Sequence, residues 1–139
     1  MPGFDNRGLK FEIWNLITTG VDLVHIPRVE AALKRHGQRF IARVFTPREV
    51  TASHGFPHEL AARFAAKEAV AKALGVGMRV MSPFGVKFHE VETLRDPLGK
   101  PVVVLSGRAA ARAQELGLAE WAISLSHERE YAIAFVVAQ

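Results

Sequence analysis

Apolar and polar positions change rhythm several times along these 139 residues, and the longest regular stretch is 57–75. At about 100° per residue, Leu60, Phe64, Ala71 and Leu74 fall on one side of a helix. Ala62, Ala66, Ala69 and Ala73 cover much of the opposite side. A helix that is apolar nearly all round is buried over most of its surface. Pro57 suits its first turn, and Gly75 sits where a left-handed cap would end it. Arg63, Lys67, Glu68 and Lys72 interrupt the apolar surface. Glu68 and Lys72 are four apart and project from one face, about 40° apart around the axis. Ala61 and Ala65 flank them and are small enough to let another group come close.

The pattern elsewhere is shorter in period. Residues 13–21 read as a first strand, with Asp22 at its end as a cap or turn residue and Gly20 allowing a close approach. A helix over 27–36 starts at Pro27 and stops at Gly37, and a shorter one covers 38–44. Thr46-Pro47-Arg48-Glu49 is a capping box opening a third. Residues 86–93 read as a strand, 96–101 as a turn and 102–105 as the returning strand. Ser106 caps a helix over 107–116 that Gly117 ends. Two strands, 121–125 and 131–137, are joined by 126–130, and the apolar character of the last makes it central. Residues 1–12 read as a loose N-terminal extension and 13–139 as one domain. The order predicts an α+β domain, an antiparallel sheet with helices packed mainly on one side.

Composition narrows the setting. Cysteine is absent, which removes disulfides and thiolate metal sites and fits a reducing, cytoplasmic compartment. No apolar run approaches the ~20 residues of a membrane span, and no secretory signal opens the chain. Net charge is +4 with a pI near 9.9, which favours acidic partners. The excess is local: Arg28, Lys34, Arg35, Arg39, Arg43 and Arg48 are opposed only by Glu30 between positions 27 and 48. A solvated helix face is the ordinary fate of such charges, but a one-sided excess also makes a dock for something acidic. A nucleic-acid-binding module is the competing reading, favoured only by pI and these arginines, with no helix-turn-helix, RRM or zinc-finger pattern behind it.

The candidate chemistry is sparse. There is no cysteine nucleophile and no Gly-x-Ser-x-Gly elbow. His54 and His58 are four apart, but Pro57 between them spoils a helical zinc pair. Asp22 and Glu68 are too few for a closed metal cage, yet suit Mg²⁺, which keeps waters and takes its remaining ligands from substrate phosphates. Their plainer readings are a turn cap and an i,i+4 pair with Lys72. Lys72 could instead reach a phosphate oxygen as a point charge. Gly75-Val76-Gly77 could present backbone N–H groups to a phosphate, although a helix cap explains Gly75 alone. His127, read at a hairpin turn, is by itself a solvent-exposed residue.

Three ordered motifs carry a resemblance. Phe64-Ala65-Ala66-Lys67-Glu68-Ala69 followed by Lys72-Ala73-Leu74-Gly75, preceded by Gly20-Val21-Asp22 and followed by Ser124-Leu125-Ser126-His127, is similar to the holo-acyl-carrier-protein synthase family. These are the small bacterial 4′-phosphopantetheinyl transferases, and the similarity runs over residues 17–137. The resemblance implies the phosphopantetheinyl transferase fold and a homotrimer with active sites between subunits. It implies transfer of 4′-phosphopantetheine from coenzyme A to a serine of acyl carrier protein, with release of 3′,5′-ADP. Asp22 and Glu68 become the Mg²⁺ ligands, and Glu68 and Lys72 the catalytic pair. Lys72, Gly75 and His127 become the coenzyme A contacts, and Arg28, Arg39 and Arg43 the dock for the acidic carrier. The serine's proton goes to Glu68 or to a water ordered by the metal. Val76 departs from the family, which often has a hydroxyl there, and residues 1–12 extend beyond its usual start. Other carrier domains are the alternative substrate. The two-repeat transferases that usually serve them are about twice this size, which favours the carrier of fatty-acid synthesis.

Overall fold

The computed structural model describes residues 2–4, 10–12, 16–80 and 82–139. Its centre is a three-stranded antiparallel sheet with α4 (Pro57–Ala73) laid across one face. The strand order is β3 (Thr18–His25), β7 (Tyr131–Ala138), β6 (Trp121–Glu128), so the last strand is central, as its apolar sequence predicts. β4 (Val91–Arg95) and β5 (Pro101–Leu105) form a separate ribbon beside β6. α1 (Ile26–His36), α2 (Gln38–Val44) and α3 (Pro47–Ser53) lead into α4, and α5 (Gly107–Glu115) follows β5. At the N-terminal end β1 (Pro2–Phe4) pairs with β2 (Lys10–Glu12) as an antiparallel hairpin. The rest of the expected loose extension, 1 and 5–9, and part of the expected first strand, 13–15, lie outside the described residues.

Small side chains allow α4 to sit close to the sheet. β7 alternates strictly, with Ala132, Ala134, Val136 and Ala138 buried beneath the helix side and Tyr131, Ile133 and Phe135 facing outward. On α4, Ala61, Ala65, Ala66 and Ala69 are fully buried, so the near-continuous apolar surface read from the sequence is covered on most sides. The tightest approach is at Gly20, where an added Cβ would lie 1.8 Å from the carbonyl oxygen of Ala69. Glycine is the only residue whose side chain leaves room there.

The other flank of α4 is held by buried charge. The Lys67 ammonium donates to Glu49 Oε1 at 2.6 Å, to the Val91 carbonyl at 2.6 Å and to the Phe88 carbonyl at 2.8 Å. Those three bonds use all three of its donors. Burial pushes the Lys67 pKa down, against the opposing pull of Glu49. Glu49 itself completes the capping box with Thr46 and accepts from the Thr93 amide. Arg63 donates to the Thr93 carbonyl and to Glu59, which also accepts from Arg95.

Four local expectations are overturned. Asp22 does not end the first strand: Leu23 and Val24 continue the alternation and pair with Ile133 and Ala132, so β3 runs on to His25. The strand expected over 86–93 starts only at Val91. Val86 makes an isolated bridge with Met78, and Phe88–Glu90 is a 3₁₀ turn whose Phe88 carbonyl serves Lys67 rather than a ladder. Residues 126–128 belong to β6, and only Arg129 and Glu130 form the turn, with Arg129 in the left-handed region at φ 54°. Ser106 stands at the N-cap of α5 but makes no side-chain cap bond. The Glu90 carboxylate lies there instead, 2.7 Å from where a Gly107 Cβ would be.

Gly20→Ala is expected to destabilise the fold by about 3 kcal/mol, because the new methyl would collide with the α4 backbone at Ala69 and Ala73, which cannot shift like a flexible side chain. Chemical denaturation of the variant checks this, and an unchanged midpoint would mean that β3 and α4 are free to move apart.

Candidate active site

Asp22 points to the helix face of β3 and Glu68 projects from the middle of α4, so the close approach at Gly20 brings the two carboxylates into one cleft. That cleft encloses about 360 Å³ and is completed by Arg28, Val29, Ala32, Phe40 and Phe64 among others. Asp22 is mostly covered and Glu68 half-buried. Desolvation pushes the Glu68 carboxyl pKa up, the negative charge of Asp22 adds to this, and Lys72 opposes it. Lys72 does not form the i,i+4 pair with Glu68. Its ammonium lies 3.2 Å from Asp22 Oδ1 and donates to the Val21 carbonyl at 2.9 Å. The reason is the extension of β3, which places a carboxylate and a backbone carbonyl where the lysine tip can meet both.

Two carboxylates crowded together beside a lysine are a natural seat for a divalent cation. Among the described residues no three His, Asp or Glu are grouped to hold a metal ion, and, with His25 also on its wall, this cleft is lined by the carboxylates Asp22 and Glu68. Their hard oxygens, open access and mutual repulsion fit a magnesium ion that completes its shell from phosphate and water.

The remaining expected site residues are spread out. Gly75 is exposed with φ 72°, and its amide donates to the Lys72 carbonyl, while the amides of Val76 and Gly77 donate to Ala71. The expectation that these N–H groups are free for a phosphate is therefore not met; they close the end of α4. Arg28 lines the carboxylate cleft. Arg39 and Arg43 are exposed on α2, and Arg43 opens onto a different hollow with Arg79, Lys87 and His89. Arg48 leaves the basic patch, since it pairs with Glu92.

His127 lies on the opposite flank of α4. It lines a hollow of about 240 Å³ with Glu59, Ala62, Arg63, Arg95, Gly99, Pro101, Leu125 and Ser126. Its ring is 4.6 Å from that of His58, which stacks on Phe56 at 5.8 Å, and Phe56 in turn meets His54 at 5.9 Å. Sequence reasoning passed over His58, Arg63 and Arg95 here. His58 and Arg63 had a signal, one and a half turns apart on the helix that carries Glu68. Arg95 had none, because it arrives from the β4–β5 ribbon.

The model of the 4′-phosphopantetheinyl transferase superfamily matches residues 18–136. The chain belongs to this superfamily. It is 48% identical over 124 residues to the holo-[acyl-carrier-protein] synthase of Herpetosiphon aurantiacus, covering 88% of this chain and 98% of that one. It is equally 48% identical over 124 residues to the synthase of Dehalococcoides mccartyi, covering 89% and 99%. Among solved structures, the Helicobacter pylori holo-[acyl-carrier-protein] synthase in complex with coenzyme A superposes with a TM-score of 0.77 at 30% identity, covering 87% of this chain and 99% of that one. The Chronobacterium ammoniagenes ACPS–CoA complex gives 0.74 at 38% identity, covering 90% and 98%. The three motifs read from the sequence all fall inside the superfamily match.

The raised Glu68 pKa has a consequence for the metal-free protein. A carboxyl whose folded pKa lies above its unfolded value binds more protons when folded, so stability falls as pH rises from the ordinary glutamate range through the folded pKa. Glu68→Gln should therefore melt at or above the wild-type temperature at pH 7 without divalent cations, with the advantage gone at pH 4. Paired melting curves check it, and a variant that is less stable at pH 7 would show that Glu68 is satisfied by partners within the chain.

Proposed function

We propose that this phosphopantetheinyl transferase moves 4′-phosphopantetheine from coenzyme A to a serine of apo-acyl carrier protein. The serine oxygen bonds to the pantetheine-bearing phosphorus, the pyrophosphate P–O–P bond breaks, and 3′,5′-ADP leaves. The observation that carries the reading is the shared cleft of Asp22 and Glu68, on the motifs that match the synthases. Mg²⁺, when bound to those two carboxylates, would neutralise the pyrophosphate and stabilise the leaving group. The chain's own residues do the rest. Lys72 is long and exposed enough to turn from Asp22 to a phosphate oxygen, and Glu68 or a water beside it takes the serine proton. The nucleophile belongs to the partner, which explains a site with no serine or cysteine of its own.

Coenzyme A is long and has two ends to hold. Arg95 and His127, with the His58 ring against His127, border a hollow suited to the phosphorylated nucleotide end once Arg95 turns from Glu59, while Arg63 stays buried on Glu59 and the Thr93 carbonyl. Within one chain α4 separates that hollow from the carboxylate cleft, so a site completed by two subunits fits better than a site within one. The outward face of the sheet supplies the means of assembly. Val21, Leu23, Tyr131, Ile133 and Phe135 are all at least 38% exposed there and lie side by side on β3 and β7. A closed homotrimer through this face is the proposed assembly. Arg28, Arg39 and Arg43 are the proposed dock for the acidic carrier, speeding encounter more than tightening the complex. A cytoplasmic setting is the corresponding proposal for compartment, and no helix among the described residues is long and apolar enough to cross a membrane.

Three measurements test this. Asp22→Asn and Glu68→Gln should leave the fold intact and lower transferase turnover by orders of magnitude, with partial recovery at high Mg²⁺; near-wild-type rates in folded variants would place the chemistry elsewhere. Arg28→Glu should slow carrier association at low salt and flatten its salt dependence, and an unchanged association rate would remove α1 from the dock. Sedimentation at micromolar concentration should give a trimer, and a fully active monomer would refute the shared site while leaving the carboxylate chemistry standing.

A further inference from the structure

The side chain whose position most needs explaining is Lys72. Its ammonium rests on Asp22 Oδ1 at 3.2 Å and on the Val21 carbonyl at 2.9 Å, two oxygens of the strand that forms one wall of the cleft. Among the described residues it makes no hydrogen bond to Glu68. Lys72 thus places a positive charge against Asp22, one of the two carboxylates that a divalent cation would need. The pair is weakly held, since the lysine side chain is 54% exposed and such pairs are easily displaced. A second cation at Asp22 would lie within a few ångströms of the ammonium and be repelled by it.

We propose that Lys72 is an internal counter-ion for Asp22, which competes with the metal until phosphate groups draw the ammonium away. This rests on the reading of Asp22 and Glu68 as metal ligands. In the unliganded chain the lysine offsets part of the repulsion between the two carboxylates, consistent with the direction of its influence on Glu68. A metal arriving alone must evict it with nothing offered in return. A pyrophosphate arriving with the metal gives the ammonium new acceptors, and the carboxylate is released. Metal and pyrophosphate then strengthen each other's binding, and by linkage the coupling is mutual. Lys72 is the residue that transmits it. Arg28 supplies the comparison, because it lines the same cleft with the same charge and makes no ion pair among the described residues.

The test is a titration of the purified protein with Mn²⁺ alone, followed by electron paramagnetic resonance of the free ion, and again with saturating coenzyme A. Lys72→Met should bind Mn²⁺ about two- to fivefold tighter than wild type without coenzyme A, the range that loss of an exposed ion pair allows. Arg28→Met should change it by less than about half as much, since a general field weakens with distance and screening. Coenzyme A should then tighten Mn²⁺ binding markedly in wild type and distinctly less in Lys72→Met. Equal or weaker Mn²⁺ binding by Lys72→Met, or an equal gain in Arg28→Met, overturns the counter-ion role, as does a coenzyme A effect of the same size in both proteins. Wild type that binds no Mn²⁺ under any condition overturns the metal reading itself, and the inference falls with it. Melting curves of both variants, with Arg28→Met close to wild type and Lys72→Met slightly lower because the carboxylates lose their counter-ion, confirm that the comparison is made on folded protein.

Discussion

The distance between β3 and α4 governs this molecule. Asp22 and Glu68 are 46 positions apart in the chain, and nothing local brings them together. They meet because Gly20 presents no side chain to the carbonyl of Ala69, and because β7 lays only alanines and a valine beneath the helix. Any larger group at these positions would lift the helix and open the cleft. The site is therefore specified by what its supporting residues lack. Two carboxylates share a partly desolvated cleft, where burial first and the Asp22 charge second raise the Glu68 pKa. Close packing is what keeps them there, and packed interiors resist such displacement because they are dense.

Packing alone would leave α4 free to rotate about its axis. The buried cluster on its other flank removes that freedom. Lys67, adjacent in sequence to Glu68 but turned about 100° around the helix, is fixed by three acceptors on α3, the 3₁₀ turn and β4. Arg63, one turn earlier, is tied to β4 and to Glu59. Buried ion pairs seldom add much net stability compared with well-packed apolar groups. Their geometry is more demanding, however, and here it sets which face of α4 turns toward Asp22. One helix thus carries its orienting charges and the charges of the candidate site in adjacent positions.

Much of this was legible in the sequence. The apolar surface of α4 announced burial on most sides, the capping box at Thr46 was real, Gly37 and Gly75 stopped the helices expected of them, and the apolar last strand is central. The Gly20 reading, a close approach, holds with helix backbone as the neighbour. What the sequence hid were relations between distant segments. Glu49 reads as a cap and is one, but its pairing with Lys67 depends on tertiary packing. Lys72 reads as the partner of Glu68, four residues away, and chooses a strand instead. Val86 and Phe88 read as the start of a strand, but 88–90 turn as a 3₁₀ helix whose Phe88 carbonyl meets a buried ammonium, and the strand begins only at Val91. His127 reads as a turn residue because β6 runs three residues further, to Glu128, than the polar run 126–130 suggests. In each case a local signal was correct about the residue's chemistry and silent about its partner.

The order of strands in the sheet bears on how the protein is made. Among the described residues β3 has one strand neighbour, and it is β7, so Thr18 pairs with Ala138 across nearly the whole described chain. During synthesis the strand that carries Asp22 emerges early and waits without a hydrogen-bonded neighbour until residues 131–138 are released. Contacts of such separation form late and slow folding. Until then Val21 and Leu23 remain on a solitary strand with an unpaired edge, the kind of surface that recruits other chains. The yield of folded protein should thus be sensitive to synthesis rate and chaperone access.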